Sequence, residues 1–122
     1  MKVLLSIKPE FAYKIFDGTK KYEFRRTLFK RKDVNEVVVY VSFPVKKVIG
    51  EFRIEDILTD NVDSIWEKTK EYSGITEQYY NEYFENKDKA NAIKVGKIVK
   101  YRTPKQLSDF NLDYAPQSFV YL

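Results

Sequence analysis

Apolar and polar positions change period several times along the chain, and each change marks an element. Leu4, Leu5 and Ile7 form a short apolar run, the pattern of a buried strand. Pro9 then stands where a helix accepts its first residue, and Glu10 is favourable in the first turn. Phe11, Ala12, Ile15 and Phe16 recur at helical spacing and Gly18 offers a left-handed stop, which predicts a helix over 9–17. Over 20–27 the period falls to two, with Tyr22 and Phe24 on one side and Lys21, Glu23 and Arg25 on the other.

The strongest alternation lies at 36–43. Val37, Val39, Val41 and Phe43 share one face and Val38, Tyr40 and Ser42 the other, as in a central strand that Pro44 ends. A hairpin partner follows at 46–58, where Val48, Phe52 and Ile54 oppose Glu51, Arg53 and Glu55, and Gly50 marks a bulge or bend. Asp60 or Asn61 caps a helix to about residue 72, with Val62, Ile65, Trp66 and Thr69 on one stripe, and Gly74 breaks it. A second helix over 76–85 packs through Ile75, Tyr79, Tyr80, Tyr83 and Phe84. Residues 90–101 read as a strand whose phase changes at Gly96, and 117–122 as a closing strand. The order β-α-β-β-β-α-α-β-β, with short strands and bulging glycines, predicts an α+β fold: a small curved mixed sheet or barrel flanked by short helices. No linker, repeat or low-complexity tract divides the chain, so residues 1–122 read as one domain.

Composition narrows the chemistry. The 122 residues include no Cys and no His, which excludes disulfides, Cys/His zinc sites, thiolate nucleophiles and Ser-His relays within the chain. Asp60 and Asp63 read as helix caps rather than metal ligands, so neither a metal nor another cofactor is expected. The longest purely apolar runs, such as 37–39, are too short for a membrane span, and the N-terminus has no signal-peptide pattern. A soluble, cytoplasmic protein is the expectation. The net charge of +4 conceals an uneven distribution: 1–32 hold ten Lys/Arg and three acids, 60–88 three and eight, 89–122 six and two. Folding the two basic ends together gives one positive face suited to a polyanion.

The sharpest segment is Gly18-Thr19-Lys20-Lys21-Tyr22-Glu23-Phe24-Arg25. Glu23 and Arg25, two apart on a strand face, let a carboxylate orient a guanidinium, and Lys20 at the turn converges on the same place. Spacing alone equally fits a ladder of charges on an edge strand. Gly18, Lys20, Glu23 and Arg25 match the G-x-K-x-x-E-x-R signature of the ASCH domain, a family similar to the PUA domain in its β-barrel. The stretches 6–9 (Ser-Ile-Lys-Pro) and 39–44 (Val-Tyr-Val-Ser-Phe-Pro), with Gln117 and Ser118, agree with the resemblance.

The resemblance implies a PUA-like barrel with a cleft between the first helix and the sheet. It also implies a role in RNA binding, RNA processing or transcription-linked regulation. As a binding module for RNA or a nucleotide-like ligand, the cleft takes Lys8, Lys20, Arg25 and Arg26 for phosphates and Tyr22 or Tyr40 for base stacking. Glu23 holds Arg25 or accepts from a base edge, and Ser6, Ser42, Gln117 and Ser118 complete the candidate ligand set. Most of the ten tyrosines, including Tyr79, Tyr80 and Tyr83, read as packing residues. Two enzymatic alternatives come with the resemblance. One family branch resembles an N4-acetylcytidine amidohydrolase, but its nucleophilic threonine position holds Glu23 here; Thr19 and Thr27 lie outside it. Another is a metal-independent ribonuclease, for which the candidate catalytic residues are Lys20, Glu23 and Tyr40. The ligand, the oligomeric state and the role of the acidic stretch 60–88 are not legible.

Overall fold

The computed structural model describes all 122 residues. The elements run β1 (Lys2–Ile7), α1 (Pro9–Asp17), β2 (Tyr22–Arg25), β3 (Glu36–Val41), β4 (Lys47–Asn61), α2 (Val62–Thr69), α3 (Glu77–Tyr83), β5 (Lys89–Lys105) and β6 (Phe119–Tyr121). Short 3-10 turns at Lys70–Tyr72 and Leu107–Phe110 complete them. This is the order and the α+β class that the hydrophobic pattern predicts.

All six strands belong to one mixed sheet in the order β2-β5-β4-β3-β1-β6. β3 and β4 form the expected antiparallel hairpin, whereas β1 lies parallel to β3, since α1 and β2 intervene between them. β3 is interior and buried on both faces. Val37, Val39 and Val41 pack with Val3, Leu5, Ile7 and Phe52, while Val38 and Tyr40 pack with Leu4 and Val48. The alternation in this strand therefore separates two apolar clusters rather than core from solvent.

Irregular pairing curls the sheet. The β4–β5 ladder shifts register between Val48 and Gly50, and twice more between Phe52 and Asp56, opposite Gly96. At Gly50 a Cβ would lie 2.5 Å from the Val99 carbonyl oxygen and 2.6 Å from the Phe16 ring, so only glycine fits the close approach. The curl brings the two edges of the sheet near one another. Arg25, ending edge strand β2, donates through Nη1 to the Ser6 carbonyl at 3.3 Å. Its Nη2 donates to the carbonyl and Oγ of Ser118, beside edge strand β6, at 3.1 and 3.0 Å. A half-barrel results, spanned on its open side by one guanidinium.

The alternation at 36–43 places Phe43 inward, but β3 ends at Val41 and Phe43 is 75% exposed. Ser42 begins a turn at that point, so the period of two no longer governs the next side chain. Asn61 rather than Asp60 caps α2, accepting from the Ser64 N–H at 2.8 Å, and Thr76 caps α3 through the Tyr79 N–H at 3.1 Å. Ile65 and Thr69 of the predicted α2 stripe are buried, and Trp66 packs against Tyr80. No helix is long and apolar enough to cross a membrane.

Candidate functional site

Three docking contacts create the site. Gly18 closes α1 at φ +87°, its N–H bonding back to the Ile15 and Lys14 carbonyls, and the chain turns into β2. The loop after α2 then covers this turn. Lys20 Nζ donates to the Ser73 carbonyl at 2.6 Å, Lys14 Nζ to the Gly74 carbonyl at 3.2 Å, and the Lys21 N–H to the Tyr72 carbonyl at 2.9 Å. Gly74 has φ +69°, and a Cβ there would stand 2.6 Å from Cβ and Cγ of Lys20. Lys20 is left 1% exposed, its ammonium 4.8 Å from the Phe24 ring centre and 5.3 Å from that of Phe11. Desolvation pushes its pKa down to about 8, outweighing the opposing pull of the Glu23 charge, and Lys14 lowers it further. The motif places Lys20 at the turn, converging on Glu23 and Arg25; a loop more than fifty residues away in sequence is what buries it.

Glu23 is 6% exposed. Its Oε2 accepts from Arg25 Nη1 at 3.2 Å, and its Oε1 makes no hydrogen bond within the protein. Lys20 and Glu23 form no ion pair within 4 Å, yet the carboxylate acts on the ammonium electrostatically. Arg25 differs from the expected phosphate clamp. Both terminal nitrogens are engaged, by Ser6, Glu23 and Ser118, so the guanidinium serves first as the strut across the half-barrel.

These groups open on a cavity of about 600 Å³ between α1, α3 and the curled sheet. Ser6, Lys8, Lys20, Glu23, Arg25, Arg26, Ser42, Gln117 and Ser118 all line it. The ammonium, carboxylate and guanidinium therefore share a concave site, as the motif suggests. Tyr40 does not join them: it is 5% exposed and packs with Leu4, Val38 and Val48, because its place in the alternation points it into that cluster. Tyr22, the other expected stacking face, lies against the Phe24–Tyr80 cluster and outside the cavity lining. Ser6 lines the wall but commits its hydroxyl to the Pro116 carbonyl at 2.7 Å. Thr19 is tied to Asp17 by a hydrogen bond of 2.6 Å and lies outside the cavity, whereas Thr27 lines it.

Sequence reasoning missed Tyr79 and Tyr83. They do pack, Tyr83 against Phe84 and Tyr79 edge-on to Phe11, but they also form one wall of the cavity, four apart on α3 with near-parallel rings 6.3 Å apart. Lys8 Nζ lies 5.4 Å from the Tyr79 ring and donates to its hydroxyl at 3.2 Å. The Arg26 guanidinium lies 4.5 Å from the Tyr83 ring. Only Tyr80, between them, is core. Their i, i+4 spacing is the signal that could have found them, since it gives α3 a face separate from that of Tyr80 and Phe84. No three Asp or Glu side chains cluster so as to hold a metal ion. The arrangement can bind an anion, stack a planar ring and move a proton.

A family model described as the ASCH domain matches residues 5–99. A large ribosomal subunit protein uL22 of Ureaplasma parvum is 38% identical over 123 residues, which is 98% of this chain and 39% of the relative. The chain thus spans about two-fifths of the length of the first curated relatives it matches. An ASCH domain-containing ribonuclease of Zymomonas mobilis is 31% identical over 124 residues, covering 99% of this chain and 84% of the relative. The crystal structure of ASCH from Zymomonas mobilis superposes with a TM-score of 0.90 at 31% identity, over 99% of this chain and 87% of that one.

Proposed function

Because the chain belongs to the ASCH domain family, we propose that its cavity binds single-stranded RNA and cleaves it by side-chain acid–base chemistry. The observation that carries the reading is the pair Lys20 and Glu23: both are buried, both line one cavity, and neither neutralises the other by direct contact. A relative named as a ribonuclease, of which this chain covers 84%, supports an RNA setting.

In this reading the ribose 2′-oxygen attacks the adjacent phosphorus and the bond from phosphorus to the 5′-oxygen breaks, leaving a 2′,3′-cyclic phosphate and a 5′-hydroxyl. The unbonded oxygen of Glu23 takes the 2′-proton. Lys20, protonated below its pKa of about 8, stabilises the charge on the phosphoryl oxygens and gives a proton to the departing 5′-oxygen. Arg26 and Lys8 meet flanking phosphates, and Tyr79 and Tyr83 offer faces to a base. A pKa matched to neutral pH makes Lys20 a better proton donor than an ordinary lysine.

The test is incubation of a labelled single-stranded RNA with wild type, Lys20→Met and Glu23→Gln. The expected result is fragments ending in 2′,3′-cyclic phosphate from wild type alone, with no cut at a position carrying a 2′-deoxyribose. RNA that binds to wild type and stays intact would reduce the site to a binding module. Release of acetate from N4-acetylcytidine, with RNA left intact, would favour the amidohydrolase chemistry of the other family branch.

A further inference from the structure

We propose that RNA leaving the cavity continues along a second surface, a cationic rim formed by the neighbouring ends of β1, β3, β4 and β5, with Phe43 as a base-stacking face. This rests on the RNA reading of the cavity and extends it.

Strand register places the rim. Ile7 pairs with Val41, Val41 with Lys47, and Val48 with Lys105, so four consecutive strands end or begin side by side. At 4.7–4.9 Å per strand, the row spans about 15 Å. Its near end is the cavity wall itself, at Ile7, Lys8 and Ser42. Beyond Ser42 come the exposed Phe43 and then Lys46, whose Nζ lies 5.6 Å from the Phe43 ring. Lys46 has φ +55°, a conformation that non-glycine residues rarely adopt, so the turn sets the direction in which its side chain leaves the backbone. Lys47 follows on β4, and Lys105 lies across from it with its Nζ 4.6 Å from the Tyr101 ring and 5.8 Å from Phe110.

Only Lys2, Lys68, Lys70 and Lys94 of the chain's lysines have an acid within 4 Å, so Lys46, Lys47 and Lys105 share their unneutralised charge with most of the others; what sets this row apart is its place beside the exposed Phe43 and the cavity wall. Glu51 is neutralised by Lys2 and also accepts from Tyr101, while Asp109 accepts from the Gln106 N–H. Lys47 does not guard a sheet edge, because β4 is an interior strand, whereas β5 meets β2 only over 91–94 and its far side is unpaired at Lys105. Unpaired cations with an exposed aromatic ring, continuous with the cavity, form a track for a phosphate backbone with bases on one side.

Two ligands test the rim: a dinucleotide, which the cavity alone accommodates, and a single-stranded RNA of roughly twelve nucleotides. The variants are Lys46→Gln/Lys47→Gln/Lys105→Gln and Phe43→Ala; Lys47 is half-buried and the other three are exposed, and folding is checked by urea midpoint. For the longer RNA the triple variant is expected to bind about tenfold more weakly at low salt, and the slope of log affinity against log salt to become shallower by about 2. Phe43→Ala is expected to weaken it about fivefold or more, the value of one stacked base. Dinucleotide binding stays unchanged in both. Equal affinity and equal salt slope for the longer RNA in wild type and triple variant would overturn the rim, as would equally tight binding of polyglutamate. Failure of the cavity reading shows separately, as dinucleotide binding that Lys20→Met and Tyr83→Ala do not alter.

Discussion

Lys20→Met isolates what the buried ammonium costs the fold. An ordinary lysine titrates near 10.5 and Lys20 near 8, a difference of about 2.5 pH units, equivalent to about 3 kcal/mol between its two protonation states. Lys20 is almost fully buried, so solvent screening discounts this little. The sign follows from proton counting. Between about pH 8 and 10.5 the unfolded chain holds a proton on Lys20 that the folded chain has lost, so unfolding free energy rises with pH in that window. Below pH 8 both states are charged and the penalty is fully present. Methionine fills similar volume without the charge, leaving the Ser73 carbonyl without its donor. Urea unfolding of wild type and Lys20→Met from pH 6.5 to 10.5 is the assay, and the difference between the two proteins is the readout, because shared titrations cancel. Wild type is expected to gain about 3 kcal/mol on the variant between pH 7 and 10.5. Parallel curves across that range would refute the burial argument.

Other expectations follow from the same geometry. RNA cleavage by wild type falls as pH rises through about 8, because the proton donor is lost, and Lys20→Arg moves that decline to higher pH; pH–rate profiles read both. Gly74→Ala strains a backbone at φ +69° and intrudes on the Lys20 stem, costing about 2 kcal/mol in urea unfolding and lowering the cleavage rate. Arg25→Gln removes the strut from β2 to Ser6 and Ser118, and lowers unfolding free energy by about 3 kcal/mol. Tyr83→Ala weakens RNA binding by about fivefold or more, measured by fluorescence anisotropy, while Tyr83→Phe retains the stacking face.

Much of the fold is legible because local signals agree with one another. Pro9, the Phe11–Ile15 spacing and Gly18 define α1 without help from the rest of the chain, and the observed helix is Pro9–Asp17. Gly50 and Gly96 mark the register shifts because no other residue tolerates the close approach there. The motif likewise identifies Lys20, Glu23 and Arg25 as neighbours in one site. What is not legible depends on contacts distant in the chain. Nothing near Lys20 announces that Ser73 and Gly74 will cover it, or that Arg25 will spend its donors on Ser6 and Ser118. Tyr40 shares the alternation of its strand with Val38, and only the sheet order shows that this face is a second core. Tyr79 and Tyr83 fail for a related reason: a short helix between core and cavity is apolar on two sides, and composition cannot tell which aromatic faces which.

A crystal structure with a short RNA whose 2′-hydroxyl at the cleavage position is replaced by hydrogen decides whether the cavity holds the scissile phosphate. The expected result is a phosphate within hydrogen-bond distance of Lys20 Nζ, the 2′-position facing the free oxygen of Glu23, and a base against Tyr79 or Tyr83. RNA bound elsewhere, with the cavity between α1 and α3 left to solvent, would contradict it.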